Sequence, residues 1–103
     1  MVATSTKPCA LVANEKDSVA ILLAPVAQGE PVTLLGPDFG SAGAVEARGP
    51  IEPFHKIAIR KIAEGESIVK LGEIIGRATC PIARGDHVLV HNVVGVRLSG
   101  GAR

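Results

Sequence analysis

The sequence is nearly without aromatic residues: two Phe, no Tyr and no Trp in 103 residues. Any core must therefore be packed from Val, Ile, Leu and Ala, within a chain that is 47% apolar. The aromatic platforms that hold single-stranded nucleic acid are missing too, and the Lys and Arg residues are scattered instead of clustered against a phosphate backbone. Both absences argue against nucleic-acid binding. The formal net charge is only +1, and no run of like charges forms an acidic or basic tail. The longest apolar run, 19–26, is interrupted by Pro25 and falls far short of the ~20 residues of a membrane helix. The first residues lack the charged and long apolar regions of a secretory signal. Cys9 and Cys80 stand far apart and read as reduced thiols, not a disulfide framework. Cys80, with no base near it in sequence, reads as a buried structural thiol. These features predict a soluble, cytoplasmic protein without a membrane contact. The length fits one domain, which buries roughly 65% of the surface of its unfolded chain.

What the chain does have is one phrase, repeated. It runs branched aliphatic, Ala, any residue, Gly, acid, any residue, branched aliphatic. The copies are Val26-Ala27-Gln28-Gly29-Glu30-Pro31-Val32, Ile62-Ala63-Glu64-Gly65-Glu66-Ser67-Ile68 and Ile82-Ala83-Arg84-Gly85-Asp86-His87-Val88. Glycine takes positive φ without steric cost, so each copy predicts a tight turn between strands. The likeness between the first two copies extends upstream, where Ile21 matches Ile57 and Leu23 matches Ile59.

Strands are expected at 9–13, 18–24, 32–35, 44–48, 56–62 and 74–80, with strand-like character again at 96–98. Segment 36–43 is the most loop-like, either a plain surface excursion or a lid or partner contact. Helical periodicity is nearly absent. Segment 61–75 is ambiguous, and its two glycines favour turns. The fold expected is mainly β, of short strands and Gly-marked turns. It divides into an N-terminal segment 1–13 with a possible first strand, a domain 14–94 and a tail 95–103.

All three histidines, His55, His87 and His91, fall in the central stretch. His87 and His91 are four apart, so on a strand they share a face, with Val88 and Val90 turned to the core. They read either as imidazoles for proton shuttling or a divalent metal, with His55 a third, or as partly exposed residues on an edge strand. Lys56, Lys70, Arg60, Arg77 and Arg84 are candidate partners for a carboxylate, or simply solvated cations. No phosphate loop and no nucleophile elbow is present.

Three pieces, read in order, carry a resemblance. They are Phe54-His55-Lys56-Ile57-Ala58-Ile59 with Ala63-Glu64-Gly65-Glu66; then Val69-Lys70-Leu71-Gly72-Glu73-Ile74-Ile75-Gly76-Arg77-Ala78-Thr79; then Gly85-Asp86-His87-Val88 with His91-Asn92-Val93. Together, over roughly 14–94, they resemble the small SAF domain, of β-clip fold, of the altronate/galactarate dehydratase family. The resemblance implies a lyase that removes water from a sugar acid with the help of iron or manganese. In a sister group, the sulfolactate sulfo-lyases, the small domain is a separate chain beside a large catalytic subunit. The chain's end at Arg103 fits such a small subunit, with the metal held in the assembled enzyme and not by this chain alone. By resemblance, His55, Lys56, His87, His91 and Asn92 line the face turned toward the partner's active site; the roles expected are acid/base for His55, His87 and His91, metal contact for His87 and His91, and substrate contact for Lys56, Lys70, Arg77 and Asn92. Leu89 stands where many members carry a further histidine. The rival reading is a non-catalytic module that orders the large subunit or binds a carboxylate. Exposed short strands also make a homo-oligomer conceivable.

Overall fold

The computed structural model describes residues 8–38, 40–89 and 93–95. Among them are nine strands and no helix: β1 (Cys9–Leu11), β2 (Val19–Leu22), β3 (Pro31–Leu35), β4 (Ser41–Glu46), β5 (Lys56–Ala58), β6 (Ser67–Lys70), β7 (Glu73–Ala78), β8 (His87–Val88) and β9 (Val93–Gly95). Six strands form one sheet in the order β4-β3-β1-β2-β5-β8, and three form another, β6-β7-β9. Neighbours run antiparallel except β1 and β3. This is the mainly β architecture expected of a SAF-like domain. The ambiguous segment 61–75 resolves into a turn, β6 and the start of β7, joined through Leu71 and Gly72 at positive φ. The strand expected at 56–62 ends at Ala58, and segment 36–43 is shortened because β4 already begins at Ser41. The expected strand at 96–98 lies outside the described residues.

Two cores lie on opposite faces of the long sheet. Ala20, Leu22 and Ile57 enter one, with Ala10, Val26, Val32, Leu34, Val45, Ala47 and Ile51. Val19, Ala58 and Val88 enter the other, with Ile62, Ile68, Ala78 and Ile82. Central strands covered on both faces read as continuous apolar runs instead of alternating ones. That is why β2 is Val-Ala-Ile-Leu. The edge strand β4 does alternate around its end, with Val45 and Ala47 buried and Glu46 and Arg48 exposed.

A polar buckle joins the two sheets. Asp17, almost fully buried, accepts hydrogen bonds from the amides of Ala13, Asn14 and Gly72 at 3.1, 3.1 and 2.8 Å. Ser18 exchanges backbone and hydroxyl bonds with Val69. Buried polar groups are tolerated when satisfied in this way.

The repeated phrase builds the same turn each time. Glu30, Glu66 and Asp86 each donate their amide to the Ala carbonyl three residues back, and their carboxylates accept that alanine's amide at 2.8–2.9 Å. Gly29, Gly65 and Gly85, at φ 82°, 84° and 96°, donate to the carbonyls of Ala47, Ala78 and Ala58. Those alanines donate back to the carbonyl of the acid.

A fourth turn, 51–57, makes the same backbone bonds without the phrase. His55 donates to the Glu52 carbonyl, Phe54 to that of Leu22, and Leu22 back to that of His55, at 3.3, 2.6 and 2.9 Å. Phe54 holds the glycine position at φ 69° and His55 holds the acid's. The four turns interlock in pairs. Val26 and Ile51 exchange two backbone bonds, as do Ile62 and Ile82. Each turn clasps the residue four before its partner's first: Ala47 before Ile51, Leu22 before Val26, Ala78 before Ile82 and Ala58 before Ile62. The domain is thus one interlocked pair repeated.

Candidate functional site

The one turn that departs from the phrase is where two of the histidines meet. With no carboxylate in the acid's position, the side chain there is not used to close the turn. His55 instead brings its Nδ1 to 2.9 Å from His87 Nε2, in a half-buried hydrogen bond. The ring centroids lie 5.1 Å apart and the planes are tilted by 32°. His87 arrives from β8, the edge strand of the long sheet, which pairs with β5 so that His87 lies opposite Ile57. Its neighbour Val88 is fully buried in the second core, as the alternation predicted. His87 thus lies on an edge strand, and the imidazole it meets is that of His55.

Lys56 takes the other face. It lies opposite Val88 and Ile21, while Ile57 and His87 share the first core's side. Side chains alternate across a strand, so Lys56 is turned away from the histidine pair. Burial lowers the Lys56 pKa from its ordinary value, and the like charge of Lys70 lowers it further. Lys70 is half-buried on β6, whereas Arg77 is exposed on β7. The expected single site thus divides into His55 with His87 and, on the opposite face, Lys56 near Lys70. His91 and Asn92 lie outside the described residues.

Two arginines have structural duties. Arg84 donates to the carbonyls of Ile59 and Ala44 at 3.1 and 2.7 Å. Arg48 bridges to Asp86 at 2.9 Å. Both line a polar cleft of about 440 Å³ with Gln28, Gly29 and Glu46, and no described histidine lines it. Cys80, expected to be buried, is exposed, because it sits in the bend between β7 and the next turn, outside both cores; Cys9 is half-buried.

As for a metal, no group of three or more His, Cys, Asp or Glu among the described residues is placed to hold one. His55 Nδ1 and His87 Nε2 face each other in a bond, so these two nitrogens do not form an open pair of ligands. Sequence reasoning missed the turn 51–57 and with it Phe54. The available signal was the spacing of Ile51, His55 and Ile57, which is that of the first aliphatic, acid and last aliphatic in the phrase.

No helix among the described residues is long and apolar enough to cross a membrane. No curated protein matches the chain. The family model of the altronate/galactarate dehydratase SAF domain matches residues 8–96, which takes in all four turns and the histidine pair. Over most of its length, then, this chain belongs to the altronate/galactarate dehydratase SAF domain family.

Proposed function

We propose that the chain is the small component of a hydro-lyase that dehydrates a sugar acid such as altronate or galactarate, completed by a large catalytic subunit. The observation that carries the reading is the His55–His87 hydrogen bond at the one diverged turn of a SAF domain of this family.

Dehydration removes a proton next to a carboxylate and expels hydroxide from the neighbouring carbon, so it needs a base at one atom and an acid at the next. A neutral imidazole pair sharing one N–H···N bond has that polarity. The donating ring keeps a lone pair on its outer nitrogen, and the accepting ring keeps its N–H on its outer nitrogen. The outer atoms are His55 Nε2 and His87 Nδ1. A proton taken up at one end passes the shared proton across, and a proton leaves at the other end. The bond's polarity is then reversed and no net charge accumulates. His91, close in sequence, is a third acid/base candidate.

Lys56 and Lys70 suit an anionic group, because a carboxylate between them relieves their mutual repulsion. Lying on the other face of the sheet from the histidines, they would steer an anionic substrate and not hold it at the pair; Arg77 and Asn92 are further contacts in this reading. A sulfonate fits the same cations, so sulfite elimination from sulfolactate is the second substrate class. The divalent metal, iron or manganese, would stabilise the enediolate as a Lewis acid and belongs to the completing subunit.

The test is to isolate the tagged chain with its partner from its native extract and assay dehydration of altronate and galactarate, and sulfite release from sulfolactate. Activity that requires both chains supports the reading. A purified complex inert toward all three substrates leaves only a binding or assembly module.

A further inference from the structure

The turn 82–88, from which β8 carries His87, is tied to the rest of the domain by side chains as well as backbone. The third position of the phrase asks nothing of its side chain: Gln28 and Glu64 stand there in two copies, and Pro53 in the diverged turn. Among the described residues, only Arg84 uses that position to reach outward, donating from Nε to the Ile59 carbonyl and from Nη2 to that of Ala44. The acid differs too. Glu30 and Glu66 close their own turns and, among the described residues, pair with no cation. Asp86 accepts from Ala83 with one oxygen and from Arg48 with the other. The place of Arg48, just after the clasped alanine, is held by Thr79 in the second pair, so neither arginine belongs to the repeated pattern.

These links join the two interlocked pairs. Ala44 lies on β4 and Arg48 just past its end, in the pair of turns that includes His55. Arg84 and Asp86 belong to the other pair, and Asp86 directly precedes His87. His87 meets His55 from a strand of two residues that pairs with β5 at two positions. We infer that Arg48 and Arg84 are positioning residues: they fix the turn 82–88 against β4 and the exit of β5, and so set the approach of His87 Nε2 to His55 Nδ1. The catalytic consequence rests on the dehydratase reading; the positioning does not. A guanidinium presents its donors in a rigid planar fork, so Arg84 holds its two carbonyls in one geometry. An N–H···N bond at 2.9 Å weakens steeply when its donor is turned away, so a small tilt of the turn is felt at the pair.

Arg48→Met combined with Arg84→Met removes both links, while the turn's backbone bonds to Ala58 and Arg48 remain. In the full chain, 15N-labelled at histidine, the through-bond coupling between His55 Nδ1 and His87 Nε2 is expected to collapse well below the unfolding temperature. With the catalytic subunit, kcat for the sugar acid is expected to fall on the order of 10²-fold, the effect of a ~1 Å misplacement, with KM unchanged. Arg48→Lys with Arg84→Lys keeps a donor at each place and is expected to recover part of both. If the double Met variant does not fold, Arg84→Met alone takes its place, with a smaller loss of coupling expected. A folded variant that melts lower yet keeps the coupling makes the arginines structural only and overturns the inference, as does a wild-type chain without the coupling. Coupling lost with turnover unchanged leaves the positioning standing and removes the relay. Coupling lost where the wild-type complex has no lyase activity sinks the dehydratase reading alone.

Discussion

The two interlocked pairs of turns differ in one member. Six side chains fill equivalent places in each: Leu22, Val26, Val32, Ala47, Ile51 and Ile57 in the first core, and Ala58, Ile62, Ile68, Ala78, Ile82 and Val88 in the second. In the second pair both turns carry the glycine and the acid, and each clasps the other's alanine. In the first pair the turn 26–32 is regular, while 51–57 has lost glycine, alanine and acid and still makes the backbone bonds. The backbone pattern is therefore held by the pairing and the core, with the phrase residues as local support. A member of the pair can be released from the phrase. The side chains so released are Phe54, which is exposed, and His55, which is bonded to His87.

The largest effect that sharpens this comparison comes from Gly85. A Cβ there would lie 2.2 Å from the Glu46 carbonyl oxygen, with φ already at 96°. Gly85→Ala is expected to cost about 4 kcal/mol or more, by chemical denaturation, because backbone must move. Gly65 has open space at the same position. Gly65→Ala should cost only the strain of positive φ, on the order of 1–3 kcal/mol. Equal costs at the two sites would mean that φ alone, and not the crowding by β4, sets the requirement.

The acid's position separates the turns next. Glu66→Ala removes the carboxylate that accepts the Ala63 amide, a loss of about 1 kcal/mol. His55→Ala removes no such closure and should change stability by less. A larger loss at His55 than at Glu66 would make the imidazole pair structural.

How much of this was legible in the sequence follows from the same chemistry. The three glycine turns were readable because glycine and acid are there for backbone reasons alone. The fourth was not, since its conformation is imposed by Leu22 and Val26 from far along the chain. His87 could be placed on a strand with Val88 inward, but its partner could not be named, because His55 comes from a segment 32 residues away. The resemblance puts Lys56 on the histidines' face. Strands buried on both sides show no alternation that would reveal which residues point where, and the structure divides the two groups.

The smallest expected effect concerns that second face. The Lys56 pKa is lower in the folded chain than in the unfolded one, so the unfolded chain binds more protons between the two values. Stability should therefore rise as pH climbs through the window between the lowered value and the ordinary one near 10.5. Below that window the charged ammonium opposes folding in full. Lys56→Met should raise the unfolding temperature slightly at neutral pH and flatten the alkaline rise. An unchanged alkaline profile would remove Lys56 as its source.

The most direct test of the central claim, that the diverged turn delivers His55 to His87 as a proton relay, is a double-mutant cycle on turnover in the assembled lyase. Two groups that act as a unit give grossly non-additive losses. His55→Ala and His87→Ala should each lower kcat by roughly 10²–10⁴-fold, the usual range for a lost acid/base group. The double variant should be no worse than either single one. Losses that multiply would show two independent groups, and full turnover in the double variant would contradict the relay outright.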